Sequence, residues 1–212
     1  MSVAPPTPML VEPFEQADRQ HEAMVFGLWL FLATEILFFG GFFFLYAVAR
    51  LQDPSGFALG GHKANLLLGT INTVLLMSSS ATLTVAERAI KAEWRRAARV
   101  AIVATLILGT AFLAVKGFEY HEDLSEHLFP TVPGFPFTAV GAIRFWSFYW
   151  LITLIHAVHL TIGLAFVARL LWLDRLGTLG PRWMVAEVTT LYWHLVDIVW
   201  LLLWPLLYLV GR

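Results

Sequence analysis

The chain has 212 residues, of which 58% are hydrophobic and only 14% charged, with a mean hydropathy of +0.71 and a formal net charge of -1. Soluble domains carry about 25% charged residues, so an ordinary water-soluble domain is excluded, and the balanced charge leaves no basic field to hold nucleic acid phosphates. The absence of cysteine removes disulfides, iron–sulfur clusters, thiolate zinc sites and covalently attached c-type haem.

Residues 1–21 contain Pro5, Pro6, Pro8 and Pro13 with acids at Glu12, Glu15 and Asp18. They lack the basic start and short apolar core of a cleavable signal, and read as a surface arm. Residues 22–212 read as one membrane domain. An apolar run of about 20 residues crosses a bilayer as a helix, and five runs qualify, at residues 24–49, 66–86, 100–120, 145–168 and 188–210. Backbone polar groups in hydrocarbon must be satisfied within the segment. The expected fold is therefore all-α, a polytopic bundle of five transmembrane helices.

The first run holds Glu35 near its middle, flanked by Phe31, Leu32, Phe38 and Phe39. A carboxylate there costs about 2.5 to 3.5 kcal/mol on insertion scales, so it must face protein or water, and it is the leading functional candidate. The plainer alternative is a neutral carboxyl that only locks helix packing. The second run supplies Asn72, Thr73, Ser78, Ser79, Ser80, Thr82 and Thr84, small and hydroxyl-bearing side chains that bring helices close. In the third run Lys116 and Glu119 lie three apart near its end, where a lysine can snorkel and form a local ion pair. An acidic connection with His121, Glu122, Asp123, Glu126 and His127 is expected to follow.

On the fourth run Tyr149, Thr153, His156 and Gly163 follow helical spacing, with His159 one turn beyond His156, giving a polar stripe that faces protein. Two histidines three apart fall short of a metal site, because further ligands are needed and His194 is the one other histidine within a run. Hydrogen-bonding histidines are the favoured reading. The fifth run places His194 and Asp197 one turn apart, suited to an imidazole–carboxylate hydrogen bond, with Trp200 and Trp204 on the same side. Packing is the expected role of that pair, with proton handling as the alternative.

Basic residues at the ends of membrane helices set their orientation. Nine of them (Arg19, Arg88, Lys91, Arg95, Arg96, Arg99, Arg169, Arg175, Arg182) fall on one side and four (Arg50, Lys63, Arg144, Arg212) on the other. The N-terminus is thus expected inside and the C-terminus outside. No activated nucleophile, phosphate-binding glycine loop or complete metal shell is legible. A small proton-coupled transporter is one function class compatible with Glu35 and the histidines, although no inverted repeat supports it; a purely structural scaffold is another.

Five segments in order, GLWLFLATEILFFGGFFF (Gly27 to Phe44), NTVLLMSSSATLT (Asn72 to Thr84), LGTAFLAVKGFEY (Leu108 to Tyr120), WLITLIHAVHLTIG (Trp150 to Gly163) and YWHLVDIVWLLLWPLLYL (Tyr192 to Leu209), resemble subunit III of the haem-copper oxidases in its short, five-helix bacterial form. Glu35 falls on the family's membrane-embedded carboxylate, Glu119 on its Glu-Tyr pair, His156 and His159 on its paired histidines, and His194, Asp197 and Trp200 on its last-helix signature. The resemblance implies an accessory subunit of a cytochrome c oxidase-type respiratory complex in the bacterial inner membrane. It would support proton uptake and stability of subunit I, which holds the haems and copper, and carry no redox centre itself. It also implies structural phospholipid in a lipid cleft, other oxidase subunits as partners, and a larger respiratory supercomplex as a wider setting. The same short form occurs in quinol oxidases and in a protein associated with nitric oxide reduction. Lys116 departs from the neutral polar residue common at its position, and Leu154 and Ala157 replace glycines common around the paired histidines.

Overall fold

A computed structural model describes residues 16–210 and consists, among them, of helices and connecting turns. Six α-helices follow in order: α1 (Ala17–Gln52), α2 (Pro54–Gly61), α3 (Leu66–Lys91), α4 (Arg95–Ser125), α5 (Val140–Arg175) and α6 (Trp183–Tyr208), with a single 3-10 turn, Gly180–Arg182, ahead of α6. Five of these are long and apolar enough to cross a membrane. The 36 residues of α1 and of α5 give each a length of about 54 Å, which exceeds a hydrocarbon core of about 30 Å, so their ends extend past it or the helices tilt.

Hydropathy places the spans, but the helices run beyond them. Helix α1 begins at Ala17, so the last residues of the expected arm are helical; residues 1–15 lie outside the described residues. Helix α4 continues to Ser125, which puts His121, Glu122 and Asp123 on a helix rather than in a connection. The reason is that i to i−4 hydrogen bonding continues at no cost once the chain leaves hydrocarbon, whereas an apolar count stops at the first charges. Helix α6 ends at Tyr208, two residues short of the expected limit. Helix α2 is too short and glycine-rich to stand out by hydropathy. It starts with Pro54 in its first turn and is capped by Asp53, whose side chain accepts from the Gly56 N–H.

Helices α3 to α6 form the closed bundle. Hydroxyls on α3 stitch it together: the indole of Trp193 donates to Ser79 at 3.1 Å, that of Trp200 donates to Thr73 at 3.1 Å, and Thr82 meets Thr105 of α4 at 2.8 Å. In a membrane such bonds and close packing replace the hydrophobic drive. Helix α1 stands outside and leans on α5 and α6. It leaves Phe26, Trp29, Leu37 and Phe44 exposed along its length and is tied at its far end by the Tyr46 hydroxyl donating to the Leu206 carbonyl. Helix α2 lies against the first turns of α5 at a glycine-to-glycine crossing. A Cβ on Gly56 would fall 2.7 Å from the Cα of Gly141.

Candidate functional site

Glu35 is held by a helix that is distant in sequence. Its Oε2 lies 3.0 Å from Nε2 of His159 on α5, with both side chains partly buried at 16% and 18% exposure. Phe39 packs edge-on to the imidazole, with ring centroids 5.2 Å apart. Nδ1 of His159 is 2.8 Å from the Ile155 carbonyl one turn back. A carbonyl only accepts, so Nδ1 carries a hydrogen and Nε2 faces the carboxyl. One further proton then sits between Oε2 and Nε2: on oxygen it makes a neutral pair, on nitrogen an ion pair. Either way the pair's total charge is zero. Tyr192 of α6 donates to the His159 carbonyl at 3.0 Å, fixing the turn that carries the ring.

A second polar cluster fills the space between α4, α5 and α6. Lys116 does not snorkel: it is 2% exposed, and its ammonium reaches Glu119 Oε2 at 3.1 Å, Tyr149 Oη at 3.0 Å and Tyr208 Oη at 2.8 Å. It also lies over the rings of Tyr120, Tyr149, Trp200 and Tyr208, 4.5 to 5.8 Å from their centroids. The physical reason is that α4 runs nine residues past Lys116, so the aqueous end is out of reach, while two phenols and a carboxylate offer three acceptors for its three N–H groups. Tyr149 Oη also stands 2.8 Å from both Glu119 Oε1 and Asp123 Oδ2. Thr153 donates to the Tyr149 carbonyl at 2.6 Å and accepts from Tyr120 at 2.9 Å.

The remaining candidates separate. His194 Nδ1 is 3.7 Å from Asp197 Oδ2, beyond hydrogen-bond range. Its nitrogens instead meet Ser80 at 2.8 Å and Thr84 at 3.4 Å on α3. The expected imidazole–carboxylate bond is therefore replaced by bonds to hydroxyls of a neighbouring helix, since side chains three apart on a helix share a face but need not meet. His156 is buried between Phe112 and Trp200, and neither of its ring nitrogens has a hydrogen-bond partner among the described residues. His156 and His159 thus face different surroundings. No group of three His, Cys, Asp or Glu side chains converges as a metal site among the described residues: His159 and His194 are engaged separately and His156 is enclosed by rings, a donor set that does not fit haem or copper.

The pairing of Glu35 with His159, 124 residues apart, and the roles of Tyr208 and Asp123 in the lysine cluster are absent from the sequence reading. The phenols come to Lys116 from two other helices, Tyr149 on α5 and Tyr208 on α6, so local spacing on α4 does not reveal them.

Residues 15–212 match the family model described as "Cytochrome c oxidase subunit III". A curated cytochrome c oxidase subunit 3 of Alkalihalophilus pseudofirmus is 32% identical over 204 residues, covering 93% of this chain and 91% of that protein. A "Probable quinol oxidase subunit 3" of Staphylococcus epidermidis is 28% identical over 201 residues, 92% of this chain and 93% of that protein. A heme-copper oxidase subunit I+III of Aeropyrum pernix is 30% identical over 195 residues, 87% of this chain but 22% of that longer protein.

Proposed function

The chain belongs to the cytochrome c oxidase subunit III family, and from that premise we propose that it sits against a haem- and copper-bearing subunit I and supports proton uptake there through Glu35 and His159. It is an accessory subunit of an oxidoreductase complex and a multi-pass membrane protein. The finer reading is that it is non-catalytic and lies in the bacterial inner membrane with its N-terminus inside. Oxygen reduction is the chemistry that the haems and copper of subunit I supply. The relative that carries the I+III name in one chain supports subunit I as the neighbour.

The observation that carries the proton reading is the 3.0 Å contact between Glu35 and His159 on the side where α1 leans against α5. Because the Ile155 carbonyl fixes Nδ1–H, the proton between Oε2 and Nε2 changes owner without changing the pair's charge. That matters where an isolated charge is costly. With Nδ1–H committed to the Ile155 carbonyl and Nε2 to the carboxyl, a proton enters and leaves the pair through the Glu35 carboxyl while His159 Nε2 takes or returns the shared one, so only one protein group is charged in excess at a time.

Glu35→Gln keeps the shape and a hydrogen-bonding group but cannot carry the proton. In the purified oxidase complex it is expected to slow proton uptake several-fold and to shorten the time over which turnover is sustained. Uptake and durability equal to wild type would reduce the pair to a helix-packing device and leave the scaffold reading. Transport by the isolated chain in liposomes would instead revive the transporter reading, which none of the named relatives supports.

A further inference from the structure

The second cluster closes as a hydrogen-bond account only with one proton more than its standard charges allow. Lys116, Glu119 and Asp123 are 2%, 1% and 5% exposed, so one cation and two carboxylates would leave an uncompensated negative charge in the bundle interior, where unpaired charge is strongly unfavourable. The hydrogen bonds make the same point independently. Lys116 uses its three N–H groups on Glu119 Oε2, Tyr149 Oη and Tyr208 Oη. Tyr208 has a single hydrogen, given to Glu119 Oε1 at 2.7 Å. Tyr149 also has a single hydrogen, yet its oxygen meets two carboxyl oxygens at 2.8 Å, Glu119 Oε1 and Asp123 Oδ2. One of those contacts must take its hydrogen from the carboxyl side.

Asp123 is the group that fits. Glu119 is already ion-paired with Lys116 and accepts on both oxygens, whereas Asp123 has no cation within ion-pair distance among the described residues. The complete assignment is Asp123 O–H donating to Tyr149, Tyr149 donating to Glu119, Tyr208 donating to Glu119, and Lys116 donating to all three of its acceptors. Every hydrogen then has an acceptor and the total charge is zero. The other titratable groups facing the cluster are Tyr120 on α4, His156 on α5 and Glu126 beyond the end of α4, the last being paired with Lys63 at 3.1 Å.

We propose that Lys116, Glu119, Asp123, Tyr149 and Tyr208 form a proton-binding centre that holds one exchangeable proton on Asp123. It is separate from Glu35 and His159: Tyr149 precedes His159 by ten residues on α5, about 15 Å along the helix axis. Asp123 lies two residues from the end of α4, and Lys116 is about two turns deeper on the same helix. Lys116 is what allows two acids to be buried together with only one proton.

Infrared spectra of the purified oxidase complex, compared in H2O and D2O, test the proposal. A protonated carboxyl gives a deuterium-sensitive C=O band that a carboxylate lacks. Asp123→Asn is expected to lose one such band, Glu119→Asp, which keeps the second carboxylate and so the charge balance, to retain it, and Lys116→Met to gain a second as Glu119 also takes a proton. An unchanged band pattern in Asp123→Asn, or loss of the band in Glu119→Asp alone, overturns the assignment. Should Asp123→Asn fail to assemble, Tyr149→Phe keeps the carboxyl and removes its acceptor: the band is expected to shift to higher frequency at undiminished intensity, and a band that stays in place overturns the proposal. The bands of Glu35→Gln mark that carboxyl separately, so failure here leaves the Glu35–His159 reading standing.

Discussion

Asp53 ties three segments together with one short side chain. Its Oδ1 accepts from the Gly56 N–H and from the Ser55 hydroxyl, both at 3.0 Å, and its Oδ2 accepts from the Gly141 N–H at 2.9 Å. The Gly56 bond first, then those from Ser55 and Gly141 and the nearby Arg144 charge, hold the carboxyl below the usual carboxylate range. A folded-state value below the unfolded one means that the ionised form stabilises the fold above the ordinary aspartate range, and that this contribution fades as pH falls through the lower folded value. Asp53→Asn should therefore melt at a lower temperature than wild type near neutrality, with the gap closing in acid; melting curves across pH check this, and a gap independent of pH would contradict it. Asp53 stands directly before Pro54 and three residues before Gly56, so its capping bond is local in sequence. Lys116 is the opposite case. Its acceptors Tyr149 and Tyr208 are 33 and 92 residues away, so local spacing offers only the Glu119 partner and a snorkelling lysine, and the burial follows from tertiary packing alone.

Hydropathy reveals an element when its surroundings are lipid, and fails when its partner is another part of the chain. The five long helices are legible because each presents an apolar run. Helix α2, eight residues with Gly56, Gly60 and Gly61 buried, carries no such run, and its position depends on the absence of side chains. At the crossing with α5, a Cβ on Gly141 would come 2.8 Å from the Gly56 Cα, closer than real contacts allow. The two backbones pack directly, as small residues permit between membrane helices. Gly141→Ala is expected to force α2 away from α5 and to destabilise the protein by about 1 to 3 kcal/mol, the usual range for overpacking. Gly40→Ala and Gly117→Ala, where an added Cβ meets nothing within 4 Å, should be neutral or slightly stabilising, since alanine favours the helix. Thermal unfolding in detergent of the three variants separates close approach from helix propensity. A loss of stability at Gly40 or Gly117 as large as at Gly141 would sink the explanation.

For the molecule as a whole, charge placement and helix count make one joint statement about direction. Five crossing helices put the start of α1 and the end of α6 on opposite faces. The α3–α4 turn, followed by Arg95, Arg96 and Arg99, lies on the same face as the α5–α6 turn with Arg175 and Arg182. Arg99 is engaged with Asp174 at 2.6 Å and Lys91 with Glu87 and Glu187 at 2.8 and 3.3 Å, but the rule for orientation counts lysine and arginine near helix ends whether or not acids stand beside them. That face should be cytoplasmic, and the α4–α5 connection, with the Lys116 cluster beneath it, should face outward. The lack of cysteine makes a direct measurement simple, because a single introduced thiol on this subunit is its one site for a membrane-impermeant maleimide. Thr131→Cys, in the exposed α4–α5 connection, is expected to label in intact cells, and Leu176→Cys, exposed at the end of α5, only after the membrane is opened. The reverse pattern would invert the subunit and place the proton on Asp123 nearer the cytoplasm, on the side from which an oxidase draws its protons rather than the side to which it releases them.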